Sequence, residues 1–397
     1  MRRAEDSTSG YGLGAADLGA WRERRQPFVE RGFAARERKA ARAVRIVVDV
    51  SPLSHPRTGV GNYIRGSLIG LVEAGGSDVV AFAPASRQGR REIEESLAGI
   101  ELERKLTVLP AAHALRTAWS RIGAPAAERA VGSFDVLHFS DWMYPPQRAG
   151  IRSTMIHDLV PVHFPDWVHA RTRRMHGAKY VHAARSCDVV LVNSSFTGDD
   201  VAETLGIPRE RIHVAYPGVD PGFSPDGQHL DLGRPYMLTV ATLEPRKNLA
   251  GLVEAHRRLG GELALAVAGG AGWGEQAKLD VANVVRLGYT PHDELPRLYR
   301  GASVVVYPSL FEGFGMPVVE AMACGVPVVA SSHASLDEAC GEAAVRVDPL
   351  DPESIAAGIR AALDRREELR ERGLEHARSF TWVENGRAHL RAWQSAG

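Results

Sequence analysis

SVVVYPSLFEGFGMPVVEAMACG, residues 303–325, contains the change of period that decides the fold. SVVVYPS is β-branched, apolar and about as long as a strand buried on both faces. EAMACG reads as helix, and Pro317 suits its first turn, where a missing N–H costs nothing. Between them lie Gly313 and Gly315, with Glu312 in the loop and Glu320 about one turn into the helix. The glycines let main-chain amides approach a ligand closely. The start of the helix adds free N–H groups and a positive dipole end. Two acids at such a place fit sugar hydroxyls, because a carboxylate is a strong acceptor of O–H donors. The same spacing also fits a plain strand-to-helix turn with two solvated acids, and this stretch alone leaves both readings open.

The alternation continues in both directions. Towards and beyond this stretch YMLTVATL, LALAVAGG, VVRLGY, PVVASS and AAVRVDP read as strands. Helical patterns such as KNLAGLVEAHRRLG, DELPRLYRGA and PESIAAGIRAALDRREELRERG separate them. Upstream, VRIVVDVSP, DVVAFAP, DVLHFS, STMIHDLVP, DVVLVNSS and RIHVAYPG alternate with NYIRGSLIGLVEAG and RRMHGAKYVHAARSC. The two series predict an α/β chain of two doubly wound, Rossmann-like domains with parallel sheets, facing across a cleft. At 397 residues the chain is too long for one compact core, which also favours two domains. The expected division is a basic, disordered extension at 1–43, a first domain at 44–220 and a linker at 221–235. A second domain follows at 236–380, and a closing helical segment at 381–397. The linker lies in YPGVDPGFSPDGQHLDLGRP, residues 216–235, where Pro and Gly break the rhythm. For the first 43 residues a basic lipid-touching arm, or translation beginning near Val44, are the other readings.

Composition narrows the function. Lys+Arg and Asp+Glu are 48 each, so no charge excess argues for nucleic acid. Cys187, Cys324 and Cys340 are few and far from metal-ligand spacing, which suits a reducing compartment. No apolar run is long enough to span a bilayer, and the start lacks the apolar core of a secretory signal. A cytoplasmic protein is expected, with contact to the inner membrane face left open.

Three more places can do chemistry. In ATLEPRKNL, 241–249, Arg246 and Lys247 stand where a helix is about to begin. A guanidinium plus an ammonium is how proteins neutralise a diphosphate, although an isolated Arg-Lys pair is also an ordinary surface feature. DVSPLSHPRTGVGNYIRG, 49–66, follows a strand with a loop carrying Gly59 and Gly61, and a helix is expected from about Asn62. It lacks the third glycine and the acidic partner of a dinucleotide site. In STMIHDLVPVHFP, 153–165, His157 and Asp158 sit at a strand end, the side of a sheet that faces a cleft. His163, further out, reads as loop.

TGVGNY, IHDLVP, VNSSFT, YPGVD, LEPRKNL, VAGGAGW, LGYTPHDELP and FEGFGMPVVE occur in that order. This series resembles the retaining glycosyltransferases of family 4, the glycosyl transferases group 1, with the GT-B fold. The likeness covers nearly everything from Val44 to about Trp382, and EPRKN followed by E-x7-E is its most specific part. The resemblance implies roles. Arg246 and Lys247 would hold the donor diphosphate and stabilise the leaving nucleotide. Glu312 would contact the donor sugar, with Gly313, Phe314 and Gly315 offering amides, and Glu320 would accept from ribose hydroxyls. The Gly59–Gly61 loop would close over the phosphates, and His157 would sit by the reacting carbon or an acceptor hydroxyl. Leu287, Tyr289 and Thr290 would lie near the nucleobase. SFTWVENGRAHLRAW would be the terminal helix crossing back to the first domain.

With those cations in place no metal and no cofactor is expected beyond the nucleotide-sugar co-substrate. GDP-mannose is the favoured donor, as in the mannosyltransferases of bacterial surface polysaccharide assembly that this wording resembles. UDP-glucose, UDP-N-acetylglucosamine and GDP- or dTDP-deoxysugars are the alternatives. The acceptor is expected to be a glycan or lipid-linked glycan. Arg171, Arg173, Arg174 and Lys179 on one predicted helix fit either an anionic membrane face or plain solvation. A sugar-nucleotide epimerase and a degenerate sugar-nucleotide-binding module are the competing classes. A nicotinamide oxidoreductase lacks its fingerprint here.

Overall fold

The computed structural model describes residues 43–140, 144–272 and 279–397. The expectations for the N-terminal extension lie outside the described residues. Two parallel sheets form the framework. The first contains β1 (Val44–Asp49), β2 (Ser77–Ala85), β3 (Glu103–Val108), β4 (Val136–Phe139), β5 (Ile151–Ile156), β6 (Val189–Val192) and β7 (Ile212–Val214). The second contains β8 (Tyr236–Val240), β9 (Ala264–Ala268), β10 (Val284–Gly288), β11 (Val304–Tyr307), β12 (Val328–Ser331) and β13 (Ala344–Val347). Their orders are β3-β2-β1-β4-β5-β6-β7 and β10-β9-β8-β11-β12-β13. Residues 216–235, between the sheets, hold no helix or strand.

The apolar runs form strands because both faces of each sheet are covered. Along β1, Ile46 and Val48 join one apolar cluster and Val47 another. Along β8, Leu238 and Met237 divide in the same way. In each sheet the chain builds to one edge and then returns to the centre, setting β4 beside β1 and β11 beside β8. Loops leaving these central neighbours diverge, and a crevice opens at their carboxyl ends. The loop after β8 carries Arg246 and Lys247, and the loop after β11 carries Glu312.

The structure adds one strand that the sequence did not announce and corrects two expectations. Strand β3 reads ERKLTV and gave no apolar signal, since it is an edge strand with most of its residues exposed. Charge suits an edge that must not pair with another chain, and Arg45 ties it down through Glu103 at 2.6 Å. The helix expected from Asn62 spans Gly59–Ala74, with Asn62 N donating to Thr58 O at 2.9 Å. Gly59 and Gly61 therefore lie in a first turn rather than in a loop. On helix Ala170–Ser186, Arg171, Arg173 and Arg174 are exposed, but Lys179 is buried. Its Nζ donates to Ser140 O at 2.7 Å and Met155 O at 2.6 Å, so it faces the sheet and not a membrane.

The closing segment forms helix Trp382–Gln394, which packs on helix Gly59–Ala74. Glycines make that approach possible. A Cβ on Gly66 would lie 2.1 Å from the Trp382 indole, and one on Gly70 would lie 1.8 Å from the Trp382 carbonyl oxygen. Trp382, Ala392 and Trp393 join the apolar cluster of the first sheet. Among the described residues no helix is long and apolar enough to cross a membrane.

Candidate active site

The loop after β8 turns through a 3-10 segment, Pro245–Lys247, and Asn248 at φ 52° starts helix Leu249–Arg258. This short turn commits Arg246 and Lys247 to the strand end. Leu310 N donates to Arg246 O at 2.7 Å and stitches the loop after β11 to it. Glu312 is then inserted between the two cations. Its Oε1 lies 2.6 Å from Lys247 Nζ and its Oε2 lies 2.6 Å from Arg246 Nη1. Arg246 Nε also meets Glu244 Oε2 at 2.7 Å, and Lys247 Nζ donates to the Tyr307 hydroxyl at 2.6 Å. Glu312 and Lys247 are 5% and 7% exposed, so these charges are only tolerable because they are paired. Burial pushes the Glu312 carboxyl up, but Arg246 and Lys247 more than reverse this and hold it at about 2. Burial and the neighbouring Arg246 pull Lys247 down.

Past Glu312 the chain enters helix Met316–Ala323 through Gly315, at φ 101°. Glu312 N donates to Ser335 Oγ at 3.0 Å. Among the described residues the N–H groups of Gly313, Phe314, Gly315 and Met316 find no acceptor within the protein. They form a cluster of donors beside two cations, a ready anion site. Glu320, one turn on, is buried and accepts from the Tyr299 hydroxyl at 3.0 Å. Burial raises its pKa, partly offset by His292 and Tyr299.

The facing wall comes from the first sheet. His157 follows β5, with the Tyr63 ring set edge-on at 5.0 Å. Burial, reinforced by the Lys179 charge, lowers His157 to about 3, so the imidazole is neutral. Its Nε2 is buried without a hydrogen-bond partner among the described residues. The His157 carbonyl abuts Gly313, where a Cβ would approach it to 1.9 Å. Asn62 Nδ2 contacts His292 Nδ1 at 3.1 Å, and His292 Nε2 reaches Asp220 Oδ2 at 3.0 Å.

These walls enclose a cavity of about 560 Å³. Gly59, His157, Arg246, Lys247, Glu312, Gly313, Phe314, Gly315, Glu320, Tyr289 and Thr290 all line it. Two expected residues do not. Gly61 turns inward, close to the Arg57 stem and Leu53, and Leu287 packs against the apolar core of the second sheet. Sequence reasoning missed Asn62, Tyr63, Glu244, His292 and Tyr307. All five fall inside quoted stretches, but an Asn, Tyr or His there has no spacing rule to mark it. Among the described residues no group of three or more His, Cys, Asp or Glu could hold a metal ion.

Comparison with known proteins gives this arrangement its context. The pattern of Glycosyl transferases group 1 matches residues 224–380, and that of Glycosyltransferase Family 4 matches residues 57–223. An O-antigen chain mannosyltransferase B from Escherichia coli is 32% identical over 272 residues, covering 62% of this chain and 71% of that protein. A sucrose-phosphate synthase from Thermosynechococcus elongatus superposes with a TM-score of 0.64 at 19% identity, over 88% of this chain and 98% of that one. An Anabaena protein, HepE, solved with UDP, superposes at 0.61 and 17% identity, over 89% and 100%. Two parallel sheets with a crevice at their strand ends, the two matched patterns and the mannosyltransferase likeness agree: the chain belongs to glycosyltransferase family 4, whose members use nucleotide-sugar donors and retain the anomeric configuration, and it has the GT-B fold.

Proposed function

We propose that this protein transfers mannose from GDP-mannose, with retention, to a glycan or lipid-linked acceptor in cell-surface polysaccharide synthesis. The observation that carries the reading is that Arg246, Lys247 and four amides unpartnered among the described residues line one cavity with His157. The donor diphosphate would lie against those cations and amides. As the bond from the sugar C1 to the phosphate oxygen breaks, negative charge builds on the diphosphate, where this cluster meets it. The acceptor hydroxyl forms the new bond to C1 from the same face, and its proton passes to the departing phosphate oxygen. Arg246 and Lys247 supply the charge that a metal supplies elsewhere.

Glu312 keeps lone pairs beyond its two cation contacts, enough to accept from a donor sugar hydroxyl. Glu320 is set to accept from ribose, and Tyr289 and Thr290 to flank the base. Support for mannose comes from the Escherichia coli relative's name. A UDP-sugar is the second reading, suggested by the UDP in HepE. The exposed Arg171, Arg173 and Arg174 suit peripheral contact with an anionic membrane carrying a lipid-linked acceptor, on the cytoplasmic side.

The test is thermal unfolding against GDP, UDP, ADP and dTDP and their sugar conjugates, followed by turnover of whichever conjugate stabilises. A ligand at about 100 times its Kd adds about 2.7 kcal/mol. A shift with GDP and GDP-mannose alone supports the proposal. A UDP-selective shift replaces the donor, and no shift with any nucleotide removes the donor site.

A further inference from the structure

Two hydroxyls from the first sheet's side of the crevice reach into the donor loop. Ser194 follows β6 and caps helix Ser195–Leu205, its Oγ accepting from Thr197 N at 3.0 Å. The same Ser194 Oγ donates to Gly313 O at 2.5 Å, and Thr197 Oγ1 donates to Gly313 O at 3.0 Å. Both side chains are fully buried, at 0% and 1% exposed. A carbonyl oxygen has two lone pairs, and here both are taken by residues about 120 positions earlier in the chain.

The consequence lies on the other side of the peptide unit. A trans peptide is planar, so its C=O and N–H point in opposite directions. Pinning Gly313 O toward Ser194 and Thr197 sends Phe314 N–H away from them. The Phe314 ring is buried in the core of the second sheet, so its main chain is what it offers the cavity. Phe314 N–H has no acceptor among the described residues. Gly313 has no side chain to resist rotation of this peptide, and none would fit beside the His157 carbonyl. Among the described residues, the two hydroxyls are the hydrogen-bond partners that the Gly313 carbonyl has.

We infer that Ser194 and Thr197 are positioning residues that hold the Gly313–Phe314 peptide with Phe314 N–H aimed at the donor diphosphate, so that this donor is in place only when the two halves are together. The inference rests on the proposed placement of the diphosphate. Such a donor matters most as charge develops, and losing one costs about 10²- to 10³-fold in kcat. The peptide would then relax toward its flipped form, with a carbonyl oxygen facing the phosphate.

The experiment compares Thr197→Val, Thr197→Ser, Ser194→Ala and the Ser194→Ala/Thr197→Val pair with wild type. Steady-state GDP-mannose turnover is followed, or turnover of the conjugate that the nucleotide panel selects, along with melting temperature and its shift by GDP. The expected result is a fall in kcat of about 10²-fold for the pair, with donor KM within about threefold. Thr197→Ser, which keeps the hydroxyl, should match wild type. Ser194→Ala also loses a helix cap, so Thr197→Val is the cleaner single change. An unchanged kcat in the pair overturns the inference. So does a loss that merely follows the melting temperature, or one shared equally by Thr197→Ser. If wild type itself turns over no sugar nucleotide, the transferase proposal fails first and takes this inference with it.

Discussion

Replacing Glu312 by Gln tests whether the cation pair is held as described. The variant keeps the shape of the side chain but leaves half-buried Arg246 and buried Lys247 without the carboxylate that meets each at 2.6 Å. Removing one partner of a buried ion pair costs about 3–5 kcal/mol. A second route gives a similar figure. Holding the Glu312 carboxyl at about 2, against its ordinary 4.5, corresponds to about 3 kcal/mol. With two domain-sized halves, that predicts a melting temperature lower by roughly 5–15 °C at neutral pH. The pH dependence has a definite sign. A depressed carboxyl pKa stabilises the fold above its unfolded value and loses that contribution as pH falls toward the folded value. The deficit of the variant should therefore be full at neutral pH and shrink below about pH 4.5. GDP should raise the melting temperature of the variant more than that of wild type, because its diphosphate would replace the lost negative charge. The assay is a set of melting curves between about pH 7 and about pH 3, with and without GDP. A variant as stable as wild type at neutral pH, or one whose deficit is flat across that range, would show that the Glu312 carboxylate does not hold the two cations.

Other outcomes follow from the same geometry. Changing both Arg246 and Lys247 to Ala should lower kcat by at least about 10³-fold, read by steady-state turnover. Gly70→Ala should destabilise by about 3 kcal/mol or more in a melting curve, since its new Cβ would collide with the Trp382 carbonyl. The His157 ring should show no titration by NMR until pH nears 3, and its burial should make stability fall as pH drops from about 6.5 toward that value. Lys179→Met should cost about 2 kcal/mol, because the Ser140 and Met155 carbonyls lose this donor. The triple change of Arg171, Arg173 and Arg174 to Ala should move stability by less than about 0.5 kcal/mol.

The sequence was most legible where burial is complete. Strands such as Val304–Tyr307 and Val189–Val192 lie wholly in the core, and their apolar runs announce them. Strand β3 is held by one neighbour and by ion pairs, so it carries no such run. That Arg246, Lys247 and Glu312 share one cavity could be read because they sit in two loops on central strand ends of one sheet. What could not be read was their mutual contact, which depends on how the two loops fold over each other. Lys179 shows the same limit. Its charge suggested a solvated face, but two strand-end carbonyls bury it. His292 and Ser194 act across the crevice, and no local spacing relates Asn62 to His292 or Ser194 to Gly313.

Helix Trp382–Gln394 packs with the first half of the chain but is made after the second sheet. When β7 leaves the ribosome, helix Gly59–Ala74 has been made but the helix that covers it has not. The roughly 170 residues between Val214 and Trp382 must be translated first. At ribosomal speeds of about 5–20 residues per second, that is a wait on the order of ten seconds or more. Through that interval the glycine-lined groove around Gly66 and Gly70 stands open, without the Trp382 ring that fills it. The core of the first half is therefore closed only after helix Trp382–Gln394 has been made.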